Sequence, residues 1–205
     1  MEIMLFMFGM DIPIKVGEVN EKGKIAINFP NKLPDSLAQE NMKMFATELP
    51  YALFFSCFDL NKKNDTANNI VVYKGGHFSL AHKTHPYAGT LFAVSDSSLI
   101  PWLEDRYYQN PVIASFYEVI YCEGEIDLKT SCRETIQYEQ TDITVDYNYS
   151  LRLKKGFNLI EYKIETIKET GIKDLPPIPS LVTIKNTTDI FAVKWYAKYF
   201  YSQFN

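Results

Sequence analysis

Along residues 143–152 apolar and polar side chains change places at every step: Ile143, Val145, Tyr147, Tyr149 and Leu151 interleave with Thr144, Asp146, Asn148, Ser150 and Arg152. Successive strand side chains point to opposite faces, so a period of two over this length predicts a strand with one face in a core and the other in water. Lys154-Lys155-Gly156 then supplies a turn in which glycine can take positive φ, and Ile160, Tyr162 and Ile164 alternate with Glu161, Lys163 and Glu165. Residues 141–166 are therefore expected to form a β-hairpin. Phe157 and Leu159 fall in the opposite phase from Ile160, which predicts a bulge or twist near 159–160.

Residues 12–30 repeat the device. Asn20-Glu21-Lys22-Gly23 separates one strand from "KIAINF", and Pro30 ends the second because proline has no N–H to give to a ladder. Further strands are predicted at 51–58, 70–74, 89–94, 112–121, 125–129, 181–186 and 189–200. In the last of these Phe191, Val193, Trp195, Ala197 and Tyr199 share a face opposite Lys194, Tyr196 and Lys198. Helix signals are confined to short connectors at 35–49, with Ser36 as N-cap, and at 97–108, opened by Ser97 or Ser98 with Pro101 in the first turn. Three prolines make 171–180 an extended connector. Short strands at this spacing predict an all-β fold: an antiparallel β-sandwich with few short helices, divided into a small N-terminal β unit (1–34) and a larger sandwich (35–205).

Composition narrows the functional classes. A chain of 205 residues with 46% hydrophobic content can bury a substantial core. A formal charge of −4 offers no basic field to neutralise phosphates, so neither nucleic acid nor an anionic membrane surface is an expected partner. The opening "MEIMLFMFGM" is too short an apolar run to span a membrane, lacks a basic flank and a small-residue cleavage site, and reads as a strand. Cys57, Cys122 and Cys132 are too few for a disulfide scaffold, and the odd count leaves at least one unpaired within the chain. A Cys122–Cys132 bridge across a hairpin is one option; reduced, buried thiols are the simpler expectation, and the pairing stays open.

Three groups carry candidate chemistry. His77, His82 and His85 lie in "HFSLAHKTH". On a strand His77 and His85 share a face while His82 points away, so three imidazoles converge on a metal only if the segment turns, and none of the tight zinc spacings is present. A polar turn is the expected reading, with no cofactor. Glu123, Glu125 and Asp127 share one strand face and could serve calcium or glycosidic cleavage, but a single strand edge makes no cleft, and a charged face that discourages edge pairing is the simpler account. Trp102, Tyr107 and Tyr108 offer rigid amphipathic area on a loop, suited to carbohydrate or protein contact or to covering one end of the sandwich. No nucleophile elbow, phosphate loop or dinucleotide fingerprint is present, and a Cys57–His77 dyad is disfavoured by the apolar "LFFSCF" around the thiol, so no catalytic residue is expected.

The strand-glycine unit "EVNEKGKIAINFP", the downstream "LAHKTHPYAGTLFAVSD" and "NYSLRLKKGFNLIEYKI" together resemble a family of secreted lipoproteins of gut-dwelling anaerobic bacteria. In that family a small β unit precedes a larger sandwich, and a "LKKGWN"-type hairpin sits in the second half; Phe157 stands here where tryptophan is commoner. The resemblance implies an exported cell-envelope or extracellular protein of unassigned function, with a lipid anchor on a leader that this chain lacks. The function expected from these readings is a non-catalytic protein that binds a glycan, a peptide or a partner protein through Trp102, Tyr107 and Tyr108. A hydrolase of sugars or peptides using the carboxylates or a histidine-bound metal, and a structural subunit assembling by strand addition, are the rivals.

Overall fold

The computed structural model describes residues 1–7, 12–33, 43–57, 70–82, 85–105, 107–138, 141–172, 175–187 and 193–200. The described strands are β1 (Glu2–Met7), β2 (Ile14–Val19), β3 (Ile25–Ile27), β4 (Ala46–Thr47), β5 (Val72–His82), β6 (His85–Ala93), β7 (Ser115–Cys122), β8 (Ile126–Tyr138), β9 (Thr141–Leu153), β10 (Gly156–Lys168), β11 (Ile178–Thr187) and β12 (Trp195–Tyr199). The helical elements bounded within the described residues are α1 (Leu49–Ala52), a 3₁₀ turn at Ser97–Leu99 and α2 (Ile100–Glu104). The fold is all-β, as the alternation predicts. No helix among the described residues is long and apolar enough to cross a membrane.

The strands run in the order β3-β2-β1-β5-β7-β10-β11-β9-β8, with β4 and β6 also on β5 and β12 on β6. The long β5 belongs to two sheets. Its residues 75–81 pair with β1 and 78–82 with β6, whereas 72–74 pair with β7 and 72–73 with β4. Gly75 and Gly76 mark the crossing: a Cβ at Gly75 would collide with the Val119 carbonyl, and one at Gly76 with the Phe6 carbonyl. Backbones approach there more closely than any side chain permits.

Two cores follow. One lies between the inner face of β7–β10–β11–β9–β8 and the connectors at 49–57 and 94–102; it holds Phe116, Ile120, Tyr149, Ile160, Tyr162, Ile184 and Trp102. The other lies where β1, β2, β5 and β6 cover the opposite face of β7 and β10; it holds Ile3, Leu5, Val16, Phe78, Leu80, Val119, Tyr121 and Leu159. Alternate residues of β7 and β10 therefore enter different cores, and the two strands are buried on both faces where they cross, over 119–122 of β7 and 158–160 of β10. This double burial explains the phase change at 159–160. It requires no bulge there; the register of β10 instead shifts at 164–167.

Several local expectations are met. Asn20 to Gly23 turn β2 into β3, with Gly23 at φ +75° and the Asn20 side chain accepting from the Lys22 and Lys24 amides. The 3₁₀ turn and α2 occupy the predicted connector with Pro101 in the first turn, but Asp96 is the cap, its side chain accepting from the Ser98 N–H at 2.8 Å. The helix expected at 35–49 lies largely outside the described residues.

Others are corrected. Residues 141–166 do not form a hairpin: β11 lies between β9 and β10, parallel to β9 and antiparallel to β10. Alternation reports which faces are buried and is silent on which strand is the neighbour. The fold is thus a mixed sheet, with β9–β11 its one parallel ladder among the described strands. The segment 51–57 is no strand: after α1 it runs irregularly across the first core, so its apolar run reflects a buried lid. Finally, Cys57 is bridged to Cys132 of β8, with Cα atoms 6.3 Å apart, and Cys122 is the buried free thiol. Cys122 has no route to Cys132 because β7 pairs with β10 and β5, whereas β8 pairs with β9.

Candidate functional site

The sheet carrying β1–β3 ends over β10, so the outer faces of β11, β9 and β8 contribute nothing to the second core. At this step an open groove of about 770 Å³ forms. Its wall is the chain leaving β3, residues Ile27 to Phe29, and its floor is built from β10, β11 and β9. Phe29 stacks on Phe157 with centroids 5.5 Å apart and planes 19° from parallel, and Tyr121 meets Phe157 edge-on at 5.1 Å. Both phenylalanines are half-buried, and they make the apolar end of the groove.

The polar end is cationic. Arg152 and Lys185 project from the outer faces of adjacent strands, and Lys154 projects from the β9–β10 connection. Arg152 stands 4.0 Å from the exposed Asp127 carboxylate, and Lys185 pairs with Glu161 at 3.2 Å. Glu161 is itself fixed by the Ser115 hydroxyl, which donates to it at 2.8 Å. Lys154 makes no ion pair among the described residues. Three cations thus face two carboxylates, leaving one positive charge in the groove.

Two amides hold this geometry. The Asn158 side chain accepts from the Lys154 N–H at 3.0 Å and donates to the Lys154 and Gly156 carbonyls, which shapes the connection that presents Lys154. The Asn186 side chain accepts from the Arg152 N–H at 2.7 Å, tying the end of β11 to the end of β9. Gly156 takes φ +103°, a conformation that favours glycine.

The residues singled out by sequence are dispersed. His77 lies in β5, its ring parallel to that of Phe6 at 5.1 Å, and burial pushes its pKa below the ordinary imidazole value. His82 ends β5 and pairs in register with His85 at the start of β6. Among the described residues no group of three His, Cys, Asp or Glu side chains could hold a metal ion. Trp102 is 3% exposed and packs against Phe54, Phe55 and Phe116, so it has no surface to offer a ligand. Tyr108 packs on the same core, and of the three aromatics Tyr107 alone, at 71% exposure, stands in solvent. Glu123, Glu125 and Asp127 are all exposed, with Glu123 accepting from the Tyr73 hydroxyl at 3.1 Å and Asp127 serving the rim of the groove.

A buried polar network pins the connector that covers the first core. The Tyr162 hydroxyl accepts from the Phe54 N–H at 3.0 Å and lies within electrostatic reach of the Glu118 carboxylate, whose Oε2 is out of contact with solvent. The Tyr149 hydroxyl donates to the Phe55 carbonyl at 3.3 Å. Burial drives both phenols above their ordinary pKa, and it pushes the Cys122 thiol up to about 12. These groups therefore stay protonated, and their role is structural.

In the sequence Lys154 and Lys155 read as turn chemistry and Phe157 as the mark of a bulge or twist. The usable signal was that an out-of-phase aromatic stood beside outward-facing cations. Comparison with protein-family models, with curated proteins and with solved structures found no match to this chain.

Proposed function

We propose that this is a non-catalytic binding protein of the cell envelope or extracellular space, and that its ligand is a glycan seated in the groove between Phe29 and Arg152. The observation that carries this reading is the make-up of the groove, wall and floor together. Half-buried aromatic rings lie at one end, and outward charged and polar side chains lie at the other. Apolar surface with a few placed polar groups is the usual composition of a small-ligand site, and aromatic faces match the apolar faces of sugar rings. A peptide adding as a strand would need an unpaired backbone edge, and the central floor strand β11 is hydrogen-bonded on both sides. Recognition here must pass through side chains.

Export is supported by the Cys57–Cys132 bridge, since structural disulfides persist in oxidising compartments. The test is a screen of neutral and acidic oligosaccharides by isothermal titration, with Ser150→Trp as control. Ser150 is exposed on the groove floor, so a large ring there fills the site without entering either core. Saccharide binding that Ser150→Trp abolishes is the expected outcome. Binding that this variant leaves intact would place the ligand elsewhere and overturn the reading.

A further inference from the structure

We infer that the saccharide is acidic, and that a uronate carboxylate is held between Arg152, Lys185 and Lys154. The inference rests on the glycan reading of the groove and adds the chemical class of its ligand. Its first ground is charge. Three cations against the Asp127 and Glu161 carboxylates leave a single positive charge, which one carboxylate neutralises. A phosphate monoester or a densely sulfated chain carries more negative charge than that single cation balances.

The second ground is availability. Arg152 is 87% exposed and its contact with Asp127 is long, so the guanidinium can turn its planar pair of donors to an incoming carboxylate. Lys154 brings a cation that no described residue neutralises. The third ground is position. The backbone amide of Arg152 is fixed by Asn186, and Lys154 is presented by the Asn158-braced turn, so the cations start from an ordered frame beside the stacked Phe29 and Phe157. A sugar ring lying on the phenyl groups directs a carboxylate at its edge toward the cations.

The experiment uses oligouronates of several backbones, the same oligosaccharides with their carboxyl groups reduced to alcohols, and a sulfated oligosaccharide, each titrated against the full chain. At least one oligouronate should bind. Its carboxyl-reduced counterpart should bind about tenfold or more weakly, and Arg152→Gln and Lys185→Gln should each cost about tenfold, the scale of one lost charge-assisted hydrogen bond. Both side chains are exposed, and circular dichroism of the variants confirms that they fold. Equal binding of the reduced form overturns the inference while the glycan reading stands. Tighter binding of the sulfated probe overturns the assignment to carboxylate. Failure of every saccharide, charged or neutral, overturns both.

Discussion

Replacing Cys57 and Cys132 together by alanine opens a covalent loop whose ends are 75 residues apart in sequence. The chain-entropy relation assigns about 4.5 kcal/mol at 25 °C to closure of a loop of that length. Tyr149 and Tyr162 hold the same connector at two further points, so the native contacts outlast the bridge and the loss should fall at about 3–4.5 kcal/mol. A chain of this size loses about 2–4 °C of melting temperature per kcal/mol, so Tm should drop by roughly 6–18 °C. Urea unfolding of the double variant beside the oxidised wild type measures the difference, and reductant should bring the wild type toward the variant. Thiol titration in urea gives an independent readout: the wild type should expose one reactive thiol, Cys122. A stability change under about 1 kcal/mol, far below the loop-closure figure, would refute the reasoning, as would three reactive thiols in unreduced wild type.

Three further outcomes follow from the buried groups and the sheet crossing. Tyr162→Phe strips the buried Phe54 N–H of its acceptor, so urea unfolding should show a loss of about 1–3 kcal/mol; a loss below about 0.5 kcal/mol would contradict the pinning role. Stability should fall in alkali, because Cys122, Tyr149 and Tyr162 have folded pKa values above their unfolded ones and the unfolded chain loses protons first. The contribution is intact below the unfolded thiol pKa of 9.0; above it Cys122 should remove about 1.4 kcal/mol per pH unit until about 12, with the two tyrosines adding to the slope above pH 10.0. Urea midpoints at pH 8, 9, 10 and 10.5 test this, and a flat profile would contradict it. Gly75→Ala drives a methyl group into the Val119 carbonyl and should cost about 3 kcal/mol or more, whereas Gly23→Ala meets nothing within 4 Å and should cost only the positive-φ strain of about 1–2 kcal/mol; the reverse order in thermal melts would argue against the crossing at β5.

The elements that could be read from sequence were those whose cause is local. Alternation from Ile143 to Arg152 placed β9 because each step of a strand flips the side chain, and Asn20 to Gly23 placed the β2–β3 turn because few residue types take those conformations. Partnership was illegible. The parallel β9–β11 ladder joins residues some 35 apart, and nothing in the "LKKGF" turn says that another strand will enter behind it. "LFFSCF" was misread for a related reason: a short apolar run looks alike as a core strand and as an irregular lid. The groove suffered most. Phe29, Arg152, Phe157 and Lys185 come from four separate elements, and only the topology makes them neighbours. The conspicuous clusters, the three histidines and Trp102 with its tyrosines, were conspicuous only in one dimension.

The wedging of β11 between β9 and β10 also bears on how the chain reaches this state. Synthesis proceeds from the N-terminus, so β9 and β10 are both complete at residue 168, before β11 begins at residue 178. Until then their tight connection and matching apolar faces favour direct pairing with each other, a local contact that forms faster than any ladder to a distant strand. Order along the chain and order in space part here as they do at β7 and β8, which are consecutive in sequence yet separated by β10, β11 and β9, so the ladders that join β9 to β10 through β11 close only after residue 187 has been made.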